Sequence, residues 1–148
     1  MTNPPAKNAH HFSVRVYYED TDSVGMVYYA NYLKFAERAR TEFLRSLGFD
    51  RWETRFGFAF VVRSCTIDYR LPARLDDLLD VETRLVDLRG ASLEVEQTVR
   101  RDGEELVRLL VRIACVREDG KVARMPAEVR SALSAFASRS QSKMRRSA

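Results

Sequence analysis

Histidine is scarce in this sequence, and its position excludes several kinds of catalytic site. The chain has 148 residues and two histidines, His10 and His11, both near the N-terminus. The rest of the chain therefore cannot supply the histidine of a Ser-His-Asp or Cys-His site, or a histidine ligand for zinc. If the protein is an enzyme, carboxylates, hydroxyl groups or backbone amides must carry its chemistry.

Cysteines and long apolar runs are also few. The two cysteines, Cys65 and Cys115, lie in apolar strand-like runs, so we expect reduced core residues rather than a disulfide framework. No apolar run approaches the roughly 20 residues that span a bilayer. The first residues, MTNPPAKNAHH, contain no apolar signal region, which favours a cytoplasmic location.

The basic charge of the chain is concentrated at one end. The net charge is +4 and the isoelectric point about 9.3, but residues 137–148 hold four of the 25 basic residues and no acid. The remaining 21 basic residues match the 21 acidic ones. We therefore predict a flexible basic tail over 137–148 and no nucleic-acid partner.

A helical pattern begins at Tyr32. Apolar residues recur there at steps of three and four, with charged residues between them, as in a helix with one buried face. These apolar positions are Tyr32, Phe35, Ala36, Ala39, Phe43 and Leu47. Gly48 is a natural stop, so the sequence predicts one long helix of about 17 residues.

Alternating apolar and polar residues predict one strand before this helix and four after it. The predicted strands cover 13–18, 59–70, 79–85, 93–99 and 105–117, the last being the most apolar and therefore central. Turns at 89–91 and 101–104 indicate that consecutive strands pair antiparallel. We also expect one helical turn within 49–58 and a short helix over 125–136.

These elements predict an α+β fold, with one long helix on the concave side of a five-stranded antiparallel sheet. With 45% hydrophobic residues, the chain can form one domain with a substantial core. We expect a flexible N-terminal arm over 1–12 and a folded domain over 13–136. Because one helix covers only part of such a sheet, we also expect a homodimer or homotetramer.

Residues 17–32, YYEDTDSVGMVYYANY, place three acids, a glycine and five tyrosines between the first strand and the helix. Asp20, Asp22 and Gly25 could simply shape a turn. Two carboxylates without further ligands are a weak indication of a metal site, and we predict none. A helix N-terminus can instead hold an oxyanion, and a nearby Asp can act as nucleophile or base. Such a pair could cleave an activated acyl bond.

The segment VRVYYEDTDSVGMVYYANYLKFAERARTEFLRSLGF resembles the signature of the hotdog-fold acyl-CoA thioesterases of the 4-hydroxybenzoyl-CoA thioesterase type. Within that family it is most similar to the bacterial branch associated with the Tol-Pal system. The resemblance continues through FVVRSCTIDYRLPARLDDLLDVETRL and VRIACVREDGKVARMP, and so covers nearly all of 12–136. It implies the hotdog fold, a long helix wrapped by an antiparallel sheet, for the folded domain.

The resemblance also implies roles for individual residues. Asp22 matches the catalytic carboxylate, Tyr29 the residue whose backbone N–H points at the thioester oxygen, and Gly25 the residue that permits the loop geometry. Arg89 falls in a region that contacts the CoA nucleotide in relatives, with a solvated surface arginine as the alternative. Glu37 matches an acid that faces the acyl pocket in some relatives, and a surface ion pair with Arg40 is equally compatible.

The function implied is hydrolysis of acyl-CoA to a free acid and CoA, without a cofactor, at sites on a subunit interface. Asp22 would attack the carbonyl or deprotonate water, and the sequence leaves both routes open. The related branch usually has Tyr-His where this chain has Tyr28-Tyr29, so the acyl preference is open as well. The alternative is a non-catalytic hotdog module that binds acyl chains, an acyl carrier protein or an envelope-biogenesis partner. The intact spacing of Asp22, Gly25 and Tyr29 favours the enzyme.

Overall fold

The structure, a computed structural model, describes residues 8–49 and 57–146, with side chains described as far as residue 137. The elements in chain order are β1 His10–Arg15, α1 Asn31–Ser46, β2 Phe58–Tyr69, β3 Leu78–Leu88, β4 Ser92–Arg101, β5 Glu104–Arg117 and α2 Ala127–Arg146. The strands form one antiparallel sheet in the order β1-β3-β4-β5-β2. The predicted α+β architecture, a helix packed on a five-stranded antiparallel sheet, is confirmed, but α2, which was predicted to be short, has 20 residues and is longer than α1.

The apolar face of α1 forms the centre of the core. Five of the six predicted apolar positions, from Tyr32 to Phe43, are buried. The helix lies over β1 and β3, with the buried Leu79 and Val81 of β3 in the core cluster. Burying such side chains contributes roughly 1.5–3 kcal/mol each, so this face holds the helix to the sheet.

A buried polar side chain links α1 to the sheet. Gln97 of β4 is fully buried, and its Nε2 donates to the Ala36 carbonyl at 2.9 Å and to Thr83 Oγ1 at 3.0 Å. Its Oε1 accepts from Arg40 at 3.0 Å. Because a buried amide without partners is costly, these bonds select one position of α1 on the sheet.

Several predicted boundaries need correction. The first strand begins at His10 and ends at Arg15, because it pairs along that length with β3, so residues 10–12 belong to the sheet rather than to the arm. The last helix continues to Arg146 through the predicted basic tail, since no glycine or proline interrupts 127–146. The helical turn predicted within 49–58 falls largely on 50–56, outside the described residues.

The pairing of β2 also differs from the prediction. It pairs with β5 at the far edge of the sheet and not with β3, the next strand in the chain. Residues 70–77 connect β2 to β3 and include Pro72, so they are too long for a tight hairpin turn. The strands that pair with their neighbours in the chain are only β3, β4 and β5. The central strand is β4, and β5, which was predicted to be central, lies beside it.

The two cysteines are both free, but only one is in the core. Cys115 is fully buried, and burial raises the pKa of its thiol to about 11. Cys65 is exposed, which contradicts the prediction of a core residue. Its strand lies at the sheet edge, where α1 does not cover it.

Candidate active site

Asp22 lies on a short hairpin loop between β1 and α1. Thr21 and Val27 form an isolated β-bridge, and the Asp22 N–H donates to the Met26 carbonyl at 2.8 Å. Gly25 has φ +78, and its N–H donates to the Asp22 carbonyl at 3.2 Å. An L side chain rarely adopts this φ, so glycine fits the turn.

The Asp22 carboxylate is exposed but held by the loop. Its Oδ1 accepts from the N–H groups of Val24 at 2.9 Å and Met26 at 3.2 Å. Within the part of the chain that the structure describes, no donor contacts its Oδ2. One oxygen is therefore fixed by backbone amides while the other remains open to a substrate.

Asp20 supports the loop through three hydrogen bonds. Its Oδ2 accepts from the Tyr17 N–H at 2.9 Å, and its carbonyl accepts from the N–H of Tyr28 at 2.9 Å and from Asn31 Nδ2 at 2.9 Å. These bonds join the start of α1 to the strand side of the hairpin. The fold thereby brings the segments of Asp22 and Tyr29 together.

Tyr29 lies two residues before the first residue of α1. The neighbouring N–H groups of Tyr28 and Asn31 both bond to backbone carbonyls. By contrast, the N–H of Tyr29 has no acceptor among the residues described. A free amide beside a helix N-terminus can donate to an oxyanion, and this role of Tyr29 stays a prediction.

Residues 70–77, which connect β2 to β3, form hydrogen bonds to the hairpin that carries Asp22. The Val27 N–H donates to the Ala73 carbonyl and the Leu75 N–H to the Gly25 carbonyl. The connection itself is held by an ion pair of 2.7 Å between Asp77 and Arg101 of β4. Burial alone would raise the pKa of Asp77, but hydrogen bonds and charge from Arg101 outweigh it and hold the pKa below its usual value.

A cavity of about 250 Å³ lies further along α1, on the side away from β1. Its apolar walls include Phe43, Phe60, Val62, Leu93, Val95 and Ile113, and Glu37, Arg40 and Thr41 line it from the helix. From this cavity β2 continues to Tyr69, whose ring contacts Tyr29 and Tyr32 near the start of the helix. Cys65, between the cavity and Tyr69 along the strand and near Arg40, is exposed.

Glu37 is an exposed residue at the mouth of this cavity. It forms no ion pair with Arg40 in the described structure, although burial lowers the pKa of Arg40 and the Glu37 charge acts in the opposite direction. Glu37 is about 12 Å along the helix from Tyr29 at the usual rise per residue. The position suits an acid that faces a pocket, and that role stays a prediction.

Arg89 is not brought to Asp22 within one chain. It is exposed in the turn after β3, where its Nε donates to Asp87 at 3.0 Å. Asp22 lies at the opposite end of β3, whose eleven residues span about 30 Å. Within one chain Arg89 and Asp22 are therefore separated by about the length of β3.

Two residues near the site were missed from the sequence. Tyr69 ends β2 and donates from Oη to the Tyr29 carbonyl at 3.1 Å, and Arg40 lines the cavity. Both contacts join segments that are distant in sequence, and no local pattern signals them. A tyrosine at a strand end or an arginine on a helix looks like a surface residue until the tertiary structure is known.

The described residues contain neither a candidate metal cluster nor a candidate membrane span. No group of three or more His, Cys, Asp or Glu side chains there is placed to hold a metal ion. None of the helices there combines the length and apolar character needed to cross a membrane.

Comparison with known proteins gives a consistent result. The sequence profile described as "Thioesterase-like superfamily" matches residues 16–133. The chain is 46% identical over 129 residues to "Acyl-CoA thioesterase YbgC" of Haemophilus influenzae, covering 84% of this chain and 94% of that protein. It is 47% identical over 102 residues to "Acyl-CoA thioester hydrolase YbgC" of Escherichia coli O6:H1, covering 64% and 76%. A solved structure, a probable thioesterase from Bartonella henselae, superposes with a TM-score of 0.76 at 42% identity, over 80% of this chain and 99% of that one.

Proposed function

The chain belongs to the thioesterase-like superfamily, and from this premise we propose that it hydrolyses the thioester bond of acyl-CoA to a free acid and CoA. The observation that carries the proposal is the pairing of an exposed, backbone-held carboxylate with a free amide at the start of α1. Relatives named as acyl-CoA thioesterases, with up to 94% of their length aligned, support the substrate class. CoA enters as part of the substrate, and the proposed reaction uses no cofactor.

The chemistry follows from these two groups. Asp22 either attacks the thioester carbonyl, giving a mixed anhydride and CoA thiolate, or takes a proton from the water that attacks it. In both routes negative charge develops on the carbonyl oxygen, and the Tyr29 N–H stabilises it. Removing such a donor costs about 3 kcal/mol in other enzymes, so one amide is a substantial contribution.

The acyl group has a place along α1. The apolar cavity offers a chain or ring a surface removed from water, and β2 runs from this cavity to Tyr69, which contacts Tyr29. Glu37 and Arg40 at its mouth supply polar contacts. The proposal leaves open whether the acyl group is aliphatic or aromatic.

We propose a homodimer or homotetramer with the sites at subunit interfaces, in the cytoplasm, where CoA thioesters are made. The exposed inner face of β2 and the distance between Arg89 and Asp22 within one chain support it. In such an assembly Arg89 of one copy can approach the substrate at Asp22 of another. An acyl carrier protein is a further proposed partner.

Replacement of Asp22 by Asn tests the mechanism. We expect Asp22→Asn to lower kcat for acyl-CoA hydrolysis by at least about a hundredfold, because an amide is neither a base nor a nucleophile of comparable strength. Thiol release from short, long and aromatic acyl-CoAs measures it. Asp76→Asn is the control, since Asp76 is exposed in the adjacent connection and Asn tolerates its φ of +70.

Two outcomes would contradict the proposal. Turnover by Asp22→Asn equal to the wild type would remove Asp22 from the mechanism. Acyl-CoA binding by the wild type without thiol release from any acyl group would favour the non-catalytic module.

A further inference from the structure

Two backbone hydrogen bonds restrain the chain that leads to the free Tyr29 amide. The peptide that carries this N–H has its carbonyl on Tyr28, and that carbonyl accepts from the Asn31 N–H at 2.8 Å. The Tyr28 N–H is held by the Asp20 carbonyl at 2.9 Å. The local chain therefore fixes the segment before Tyr29, but neither bond reaches the peptide that follows it.

A side chain from the edge strand restrains that following peptide. Tyr69, the last residue of β2, donates from its Oη to the Tyr29 carbonyl at 3.1 Å across 40 positions of sequence. Its ring also contacts two other tyrosine rings edge-on. The distance between ring centroids is 6.2 Å to Tyr29 and 5.8 Å to Tyr32. These are the separations at which aromatic pairs attract, so two rings and one hydrogen bond hold the segment to β2.

We propose that Tyr69 is a positioning residue for the reaction, which holds the backbone at Tyr29 so that its N–H stays directed at the developing oxyanion. The inference rests on the proposed function, because the amide matters to catalysis only if a thioester carbonyl binds there. Tyr69 acts through the Tyr29 backbone and not on the reacting atoms. An oxyanion donor is effective to the extent that it needs no reorganisation during the reaction.

The protonation state of Tyr69 suits this task. Partial burial, with smaller effects of Tyr29 and Cys65, raises the pKa of the Tyr69 phenol above its usual value. The phenol therefore keeps its proton, and remains a donor to the carbonyl, throughout the neutral and mildly alkaline range. The contribution of Tyr69 should accordingly be independent of pH between about 6 and 9.

The position of Tyr69 also connects the site to the sheet edge. Tyr32 Oη accepts from the Ala73 N–H at 3.0 Å, so the same aromatic group holds the connection that supports the Asp22 hairpin. Tyr69, Tyr32 and Ala73 thus join the end of β2 to both halves of the site. Disturbing the end of β2 should loosen the amide before it loosens the core.

Tyr69→Phe tests the proposal, because it keeps the ring and removes only the hydroxyl. We expect kcat for acyl-CoA hydrolysis to fall about tenfold with KM within about twofold, since the loss of a whole oxyanion donor costs about 10²–10³ and a loosened one costs less. The same fall should appear at pH 6 and pH 9. Tyr17→Phe is the matched control, as Tyr17 is 61% exposed and loses the same atom.

Amide hydrogen exchange gives a second measurement that does not depend on activity. In Tyr69→Phe the backbone N–H groups of Tyr28 and Asn31 should exchange faster, while those of the buried strand β4 keep their protection. An unchanged kcat would overturn the proposal. A lower kcat with unchanged exchange at both amides would also overturn it, because Tyr69 would then act on the substrate directly.

The proposed function fails in a different way. Wild-type protein that releases no thiol from any acyl-CoA would refute the hydrolase and, with it, the catalytic role of Tyr69. The exchange rates alone would then decide whether Tyr69 orders the segment.

Discussion

At the scale of single residues, the candidate chemistry depends on which backbone groups are bonded and which are free. Two amides hold one oxygen of Asp22, and the N–H groups of Tyr28 and Asn31 donate to carbonyls, whereas the Tyr29 N–H has no acceptor among the described residues. The proposed role of Tyr29 uses its backbone N–H and does not require the tyrosine side chain. The segment 17–32 thus contributes one carboxylate and one N–H, and much of its aromatic content packs or lies exposed.

Gly25→Ala separates the geometry of the Asp22 loop from its stability. Gly25 and Gly103 have nearly the same positive φ, +78 and +80, and an added Cβ would meet no atom within 4 Å at either site. We therefore expect each alanine to destabilise the fold by about 1 kcal/mol. Urea unfolding should show this similar loss in both variants.

Only the variant at Gly25 should lose activity. Gly25 lies between Val24 and Met26, whose N–H groups hold Asp22, whereas Gly103 lies in the turn between β4 and β5. We expect kcat for acyl-CoA to fall several-fold in Gly25→Ala and to stay at the wild-type value in Gly103→Ala. Equal kcat values in both variants would show that the loop conformation does not matter for the reaction.

At the scale of elements, the position of α1 leaves room for a substrate. The helix lies over β1 and β3, and Gln97 holds it there. The inner face of β2 is consequently less covered, and the cavity forms between the second half of α1 and β2, β4 and β5. A helix centred on the sheet would close this space.

Val62→Phe tests whether the cavity holds the acyl group. Val62 lines the cavity but is 50% exposed at the sheet edge. A phenylalanine side chain there can therefore extend into the cavity without overpacking the core. We expect kcat/KM to fall about tenfold for long acyl-CoAs and much less for short ones, because one lost apolar contact region is worth about 1–3 kcal/mol. A series of acyl-CoAs of increasing length measures the change.

Val61→Phe is the control for this variant. Val61 is 41% exposed and, as the residue adjacent to Val62 in the strand, faces the other side of the sheet. Its chain-length profile should match that of the wild type. If both variants change the profile equally, the effect comes from the strand and not from the cavity.

At the scale of the whole molecule, a single chain leaves the edge strand β2 largely uncovered. Among the described residues β2 pairs only with β5, and most of its twelve residues are exposed. Long uncovered edge strands are sites at which sheets pair with another copy. Arg89 also lies at the end of the sheet remote from Asp22, and the proposed interface would bring Arg89 of one copy toward the site of another.

Thr66→Asp tests an assembly through β2. We expect the wild type to have a mass of two or four times 17.1 kDa by light scattering, and the variant to shift toward 17.1 kDa. An aspartate near the middle of each β2 places like charges close together across a two-fold axis. Val86→Asp, at a 44% exposed position of β3, should keep the assembly.

The same variant tests whether activity depends on assembly. If the sites need two copies, the Thr66→Asp variant should lose kcat/KM in proportion to its monomer fraction. A wild-type protein that is monomeric at the assay concentration and fully active would contradict the interface proposal.

The sequence by itself determined the local elements and predicted the candidate catalytic residues. The spacing of apolar residues placed α1 and four of the strands to within a few residues, because helical and strand periods are local properties. The ordered motif from Asp20 to Tyr32, by its resemblance to a family, identified Asp22, Gly25 and Tyr29. These residues are within eight positions of one another, so a short hairpin brings them together.

Only the tertiary structure decided how distant segments meet. It placed β2 beside β5 instead of β3, exposed Cys65, separated Arg89 from Asp22 and brought Tyr69 to Tyr29. Such contacts depend on which of several possible strand pairings buries the most surface and satisfies the most backbone groups. That choice is made by the whole chain at once, and no local pattern of residues records it.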